Sequence, residues 1–216
     1  MRYFATVGGA ESVTSIERKV LASQPIMEAI GNAKTTRNDN SSRFGKYVEL
    51  QFNPSYSIVG ASMRTYLLEK SRVVFQAPGE RNYHIFYQIL TSTDDEVSDL
   101  SLGSTVFNYT KTMTIKGVND ASQFTETVQS MKLLGFGIDD RRNYFKLLAG
   151  ILHLGNIQFK EKNDGCVIVQ PSTPLTVLCN LVSVSPTELS KWLTHRRIRS
   201  AHEEVFTFHC FALINF

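Results

Sequence analysis

Amide, hydroxyl and cationic side chains crowd into one stretch of this chain, residues 32–46, reading NAKTTRNDNSSRFGK. Asn38, Asn40, Ser41, Ser42, Arg43 and Lys46 are groups of the kind that bind phosphate oxygens, and a serine hydroxyl can serve in the oxygen shell of Mg²⁺. Apart from Ala33 and Phe44 nothing in the stretch could enter a core. A helix here would have no buried face to stabilise it, so a loop is expected. Long loops in compact domains are usually functional or disordered. This one ends in Ser41-Ser42-Arg43-Phe44-Gly45-Lys46 and runs straight into an alternating apolar strand, which argues for function. The same residue types also fill ordinary turns, where side chains bond their own backbone and a neighbouring Arg or Lys is a solvated charge.

A helix and a hairpin must position that loop. Upstream, Thr14 and Glu17 have the spacing of a capping box, and Ile16, Val20 and Leu21 begin a helical apolar stripe. Pro25 breaks or restarts the helix, Ile26, Met27 and Ile30 continue the stripe, and Gly31 is placed to end it. Downstream, Val48, Leu50 and Phe52 alternate with Tyr47, Glu49 and Gln51 as a half-buried strand; Asn53-Pro54-Ser55 turns it and residues 56–63 pair back. Residues 72–75 read as a short apolar strand, and Pro78-Gly79 as a turn before a helix carrying Tyr83, Phe86, Tyr87 and Leu90. His84 reads as a structural histidine, because no carboxylate or second His stands at metal-ligand spacing.

The remainder reads as helices with one further strand pair. Residues 91–105 form a polar excursion in which Asp94, Asp95 and Glu96 make a solvated face. Asp120 and Gln123 are placed to cap a helix with Phe124, Val128, Met131 and Leu134, ended by Gly135. Asp139 or Asp140 caps a second, with Phe145, Leu148, Ile151 and Leu152, ended by Gly155 and packed on the first. Residues 157–160 and 166–170 are expected to pair around Asn163-Asp164-Gly165, and Ser185-Pro186-Thr187-Glu188 opens a helix with Leu189, Trp192 and Leu193.

Composition excludes more than it names. With 216 residues and 42% hydrophobic content the chain can bury a core. Its 23 basic and 20 acidic residues leave +3, too scattered to imply nucleic acid or an anionic membrane as the main partner. Cys166, Cys179 and Cys210 are an odd number at wide spacing, signalling neither a disulfide framework nor a zinc site, so a reducing compartment is expected. No apolar run is long enough for a signal peptide or a bilayer span, so the reading is a soluble cytoplasmic protein without direct membrane insertion.

The motif Asn38-Asp39-Asn40-Ser41-Ser42-Arg43-Phe44-Gly45-Lys46 resembles the switch I loop of myosin motor domains, N-x-N-S-S-R-F-G-K. MRYFATV at residues 1–7 is similar to the end of the helix that follows the myosin phosphate loop, and YLLEKSRVVF at 66–75 to the central-sheet segment after switch I. ERNYHIFYQIL at 80–90 and LAGILHLGNIQF at 148–159 resemble the next two landmarks, and MRTYLLEKSRVVFQ at 63–76 looks most like the class V unconventional motors. The resemblance implies an α/β fold, part of a P-loop NTPase-like motor domain over residues 1–197. Within it lie the switch I loop at 32–46, a sheet hairpin at 47–75 and a helical upper-cleft region at 80–197, followed by a divergent tail at 198–216.

By the same resemblance the activity is that of an actin-based, ATP-hydrolysing cytoskeletal motor, with ATP and Mg²⁺ as cofactors, the actin filament as partner and the actin cytoskeleton as location. Ser42 resembles the magnesium ligand and Ser41 the residue near the terminal phosphate and attacking water. Asn38 and Asn40 look like phosphate-side contacts, Arg43 like the cation that pairs with a switch II glutamate, and Lys46 like a supporting cation. Two departures limit the likeness: neither the family's G-E-S-G-A-G-K-T phosphate loop nor its D-I-x-G-F switch II segment occurs in these 216 residues. Most phosphate contacts and the partner of Arg43 are then missing, the chain alone is expected to be inactive, and its sheet is expected to keep an uncovered edge. A non-catalytic interaction fragment, or a short isoform without motor activity, is the alternative.

Overall fold

The computed structural model describes residues 15–103, 105–111, 114–162, 165–199 and 204–208. Helix α1, Ser15–Gly31, runs unbroken through Pro25, which corrects the expected break there. A proline forfeits one amide bond and crowds the carbonyl four residues back, but the packing of Ile26 and Ala29 into the main core keeps the following turn in place. Thr14, the expected cap, lies outside the described residues.

The glycine ending α1 is there for close approach. A Cβ on Gly31 would stand 2.3 Å from the Phe44 ring, so only glycine lets that ring close over the helix end. The chain then forms β1, Asn32–Ala33, antiparallel to β2, Ser41–Ser42, with Asn32 opposite Ser42 and Ala33 opposite Ser41. The segment 32–46 is therefore not one open loop: a short ladder pinches it, and residues 34–40 form its tip.

Strand β3, Gly45–Phe52, pairs antiparallel with β4, Ile58–Tyr66, from Gly45 opposite Tyr66 to Gln51 opposite Gly60, with a register shift between Gln51 and Phe52. Val48 and Leu50 are half-buried as alternation requires, but past the irregularity Phe52 turns outward, 45% exposed. The hairpin ends at Tyr66. Residues 72–75 are not a strand: Lys70–Val73 is a 3-10 turn. The tight turn brings Arg72 and Glu69, three residues apart, into an ion pair, and Arg72 is buried, which a strand ladder here could not satisfy.

Helix α2, His84–Thr91, is buried on most sides and is the centre of the main core, with α3, Asp120–Leu133, and α4, Ile138–Gly155, around it. The cap of α3 is Asn119, whose side chain accepts from Ser122 N; Asp120 instead pairs with Arg81. At α4 the Asp140 carboxylate accepts from Gly137 N at 3.0 Å. The Phe124 and Phe145 rings join α3 to α4, centroids 5.1 Å apart. Glu96 corrects the solvated-face reading of 94–96: it is buried and takes Arg141 on both oxygens, at 2.7 and 2.9 Å.

A second, smaller core gathers Ile157, Ile168, Leu175, Leu178, Cys179 and Leu193. It unites β5, Phe159–Lys162, and its antiparallel partner β6, Gly165–Ile168, with α5, Thr173–Val182, and α6, Pro186–Thr194. Asn163 and Asp164 of the expected turn lie outside the described residues. Strand β7, His195–Arg199, pairs antiparallel with β8, Glu204–Phe208, so this hairpin straddles the expected boundary at 197. Among the described residues no helix is long and apolar enough to cross a membrane.

Candidate functional site

The tip of the pinched loop is organised by its own short side chains. Thr35 N donates to Asn38 O at 2.8 Å, Asn38 N to Thr35 Oγ1 at 3.1 Å, and Asn40 N to Asn38 Oδ1 at 2.8 Å. The last is the Asx arrangement that lets Asn shape a turn. Lys34 pairs with Asp39 across the tip.

Asn40 ties this tip to the scaffold. Its Oδ1 accepts from Asn32 Nδ2 at 3.0 Å and lies 3.1 Å from His84 Nε2, while its Nδ2 donates to Glu28 Oε2 at 3.1 Å. One amide thereby joins β1, α2 and α1. A carbonyl oxygen only accepts, so His84 carries its proton on Nε2 and leaves Nδ1 as a bare acceptor, which is buried and unbonded among the described residues. Burial first, and the nearby Arg81 cation second, push the imidazole down to about 4 against the opposing pull of Asp120 and Glu28. His84 is neutral around pH 7 as a result.

The ladder end of the loop is held by charge. Arg43 N donates to Gly31 O at 2.8 Å, and Arg43 Nε reaches Glu69 Oε2 at 2.6 Å. Arg72 Nε shares that oxygen at 2.7 Å, and Arg72 Nη1 continues to Glu80 Oε2 at 2.9 Å. Burial alone would raise the Glu69 carboxyl, but the bonds and charges of Arg43 and Arg72 outweigh it and hold the group below its ordinary range. Arg72 is raised: desolvation works against its charge, and Glu69 and Glu80 prevail.

Of the six residues singled out in the sequence, the structure joins some and separates others. Asn38 and Asn40 meet at the tip, and Ser41 Oγ sits 3.5 Å from Arg43 Nη1. Ser42 stands exposed on β2, its hydroxyl without a partner among the described residues. Lys46 stands exposed on β3 opposite Thr65 and joins no hydrogen bond or ion pair with the other five. Ser41 thus offers a hydroxyl beside the Arg43 cation, and Ser42 an exposed hydroxyl at the next position, residue types suited to anionic oxygens. Ser42 could give a hard cation one of the six oxygens Mg²⁺ asks for, and no group of three His, Cys, Asp or Glu among the described residues could hold a metal.

Glu28, Glu69 and Arg72 are the members that the sequence did not single out, while Asn32 stood in the stretch without a role and His84 read only as a structural histidine. The spacing of Glu69 and Arg72 could have signalled their mutual pair, but the link from Glu69 to Arg43 crosses 26 positions and leaves no local trace. Behind the tip, α1, α2 and α3 enclose a cleft of about 820 Å³ whose lining includes Glu28, Asn40, His84 and Gln88.

The sequence pattern of the myosin head (motor domain) family matches residues 1–211. Unconventional myosin-Va of Gallus gallus is 54% identical over 209 residues, covering 94% of this chain and 11% of the relative. Unconventional myosin-Vb of Mus musculus is 52% identical over 210 residues, 94% of this chain and 12% of the relative. Myosin-2 of Lachancea kluyveri is 43% identical over 218 residues, 95% of this chain and 14% of the relative. The chain therefore spans roughly a ninth of the length of the class V relatives it matches. A match across nearly the whole chain, with half its positions identical to class V proteins, is decisive: this chain belongs to the myosin head (motor domain) family and is class V-like within it.

Proposed function

We propose that the chain carries the switch I arm of the nucleotide site in an actin-based, ATP-hydrolysing cytoskeletal motor. The observation that carries this is the presentation of Ser41, Ser42 and Arg43 as consecutive residues on a loop fastened at both ends, with the Ser42 hydroxyl exposed and uncommitted. Phosphoryl transfer depends on positioning and charge neutralisation more than on covalent chemistry by the protein, and such a loop provides both. In this reading Ser42 would ligate Mg²⁺, Ser41 would lie beside the terminal phosphate and attacking water, and Arg43 would pair with a switch II glutamate as the site closes. Asn38 and Asn40 contact the phosphate side, Asn40 after exchanging one of its three partners, and Lys46 supports the charge balance from β3. ATP with Mg²⁺ is the ligand and the actin filament the partner, in the cytoplasmic actin cytoskeleton. The described residues form one wall of such a site, and the chain by itself hydrolyses ATP no faster than buffer.

The test is a chimera in which residues 1–211 replace the matching span of chicken unconventional myosin-Va. It should show actin-stimulated phosphate release. Arg43→Ala in it should leave nucleotide affinity within about tenfold but slow hydrolysis by roughly two or more orders of magnitude, the scale set by one preorganised electrostatic partner. Equal losses in affinity and turnover, or no loss in either, would show that the arginine has another role. A chimera that holds nucleotide and actin without turnover would move the reading to a non-catalytic interaction segment.

A further inference from the structure

We infer that His84 is a positioning residue for the loop tip: with Asn32 it keeps Asn40 Oδ1 on the core while Asn40 Nδ2 leaves Glu28 to meet the phosphate side of a nucleotide, an inference that rests on the nucleotide reading above. A carboxamide oxygen only accepts hydrogen bonds, and so do the oxygens of an ionised phosphate, so Oδ1 has nothing to offer that ligand. Only the amide nitrogen can turn to it.

The three partners of Asn40 differ in what they would lose. Asn32 is 4% exposed and His84 6%, so withdrawing Oδ1 would strand two buried donors. The imidazole would then keep no hydrogen bond among the described residues, since its Nδ1 has none. Glu28 is half-buried and lines the cleft behind the tip, and its other oxygen, Oε1, keeps Gln24 Nε2 at 2.8 Å. Its bond to Asn40 is also the exposed one of the three, so Glu28 is the partner given up at least cost. A phosphate taken up by the second N–H of Asn40 would still stand beside the Glu28 carboxylate on one nitrogen, and the two anions would repel each other. His84, by contrast, is mounted on α2 at the centre of the main core and reaches the loop across 44 positions of sequence. What it holds extends past Asn40, whose backbone N donates to Asn38 Oδ1 at 2.8 Å and whose next residue, Ser41, stands opposite Ala33 on β2. The tip thus pivots on a fixed oxygen, and the Glu28 carboxylate brakes the pivot.

The test uses the myosin-Va chimera and Mg²⁺-ATP, with nucleotide affinity as the readout. His84→Leu removes the donor and should weaken binding about tenfold, the scale of one hydrogen bond. His84→Gln, which can donate to the same oxygen, should recover most of that loss. Glu28→Gln should act with the opposite sign and tighten binding roughly threefold, because a neutral acceptor holds Nδ2 less firmly than a carboxylate and repels no phosphate. Both effects should vanish in an Asn40→Ala background, since both act through that one amide. A merely structural role for His84 would produce neither the opposed signs nor that dependence. Shifts of one sign, or effects that persist without the Asn40 carboxamide, overturn the inference. If His84→Leu does not fold, Glu28→Gln decides alone: a gain that needs Asn40 supports the exchange, and no gain overturns it. A chimera whose affinity for Mg²⁺-ATP none of these variants alters refutes the inference and leaves the nucleotide reading standing, whereas a chimera that binds no nucleotide removes both.

Discussion

Asn40 Oδ1 receives both Asn32 and His84, and the burial of that imidazole makes the stability of the chain depend on pH. His84 is depressed to about 4 in the folded chain, below its unfolded value of 6.5, so its contribution to stability is complete above about 6.5 and declines as pH falls towards 4. Between about pH 7.5 and pH 5 the loss from this group should be about 2 kcal/mol, measured as the change in urea-unfolding free energy. His153, also lowered by burial although its bond to the Leu100 carbonyl opposes the shift, acts in the same direction. Comparison with His84→Gln isolates the first term: the variant should lose the extra slope, and an unchanged slope would refute the neutral buried imidazole. The residue types of the loop were legible in the sequence because hydroxyl, amide and guanidinium chemistry is carried by each residue alone. Their partners were not, since Asn40 to His84 and Arg43 to Glu69 are contacts that only the fold creates.

At the scale of elements, the excursion after α2 is fixed to α4 by the buried ion pair of Glu96 with Arg141 and by the His153 bond to the Leu100 carbonyl, and Lys132 of α3 stands 3.8 Å from the Glu96 carboxylate. The Arg141 bonds, dominant over burial, hold Glu96 below the ordinary carboxylate range. Arg141→Met should cost about 3–5 kcal/mol, because it strands a buried carboxylate rather than removing a pair cleanly. Thermal or urea unfolding would read it, and a loss under about 1 kcal/mol would mean that water reaches Glu96 as it reaches a surface ion pair. The sequence showed α2, α3, α4 and the β3–β4 hairpin through periodicity, the strongest local signal. It failed where a long-range partner overrode a local cue. Three acidic residues in a row read as solvated until Arg141 arrives from 45 positions away, and VVF reads as a strand until the burial of Arg72 calls for a tight turn. Pro25 reads as a break until tertiary packing carries α1 through it.

The whole molecule combines a helical core around α2, a satellite core under α5 and α6, and a hairpin that stands largely in solvent, with Tyr47, Val59 and Tyr66 each more than half exposed. A two-stranded sheet is marginal without covering layers. Hydrogen exchange should therefore be far faster at the ladder amides of Val48 and Leu50 than at Phe86, Ile89, Phe145 and Leu152, and equal protection would show that the hairpin is covered in solution. The α/β class and the family were legible because the motif text is dense, whereas the pinch in the loop was not, since Asn-Ala and Ser-Ser carry no strand signal. That pinch has a mechanical consequence. Asn32 faces Ser42, so α1 enters and β3 leaves at the same end of the β1–β2 ladder. Tension between helix and hairpin pulls that end apart and loads the rungs one after another, the way a zipper opens, rather than all at once as in shear. The bond from Arg43 N to the Gly31 carbonyl stands at the mouth of that zipper, and it takes the first force that any displacement of α1 against the hairpin transmits.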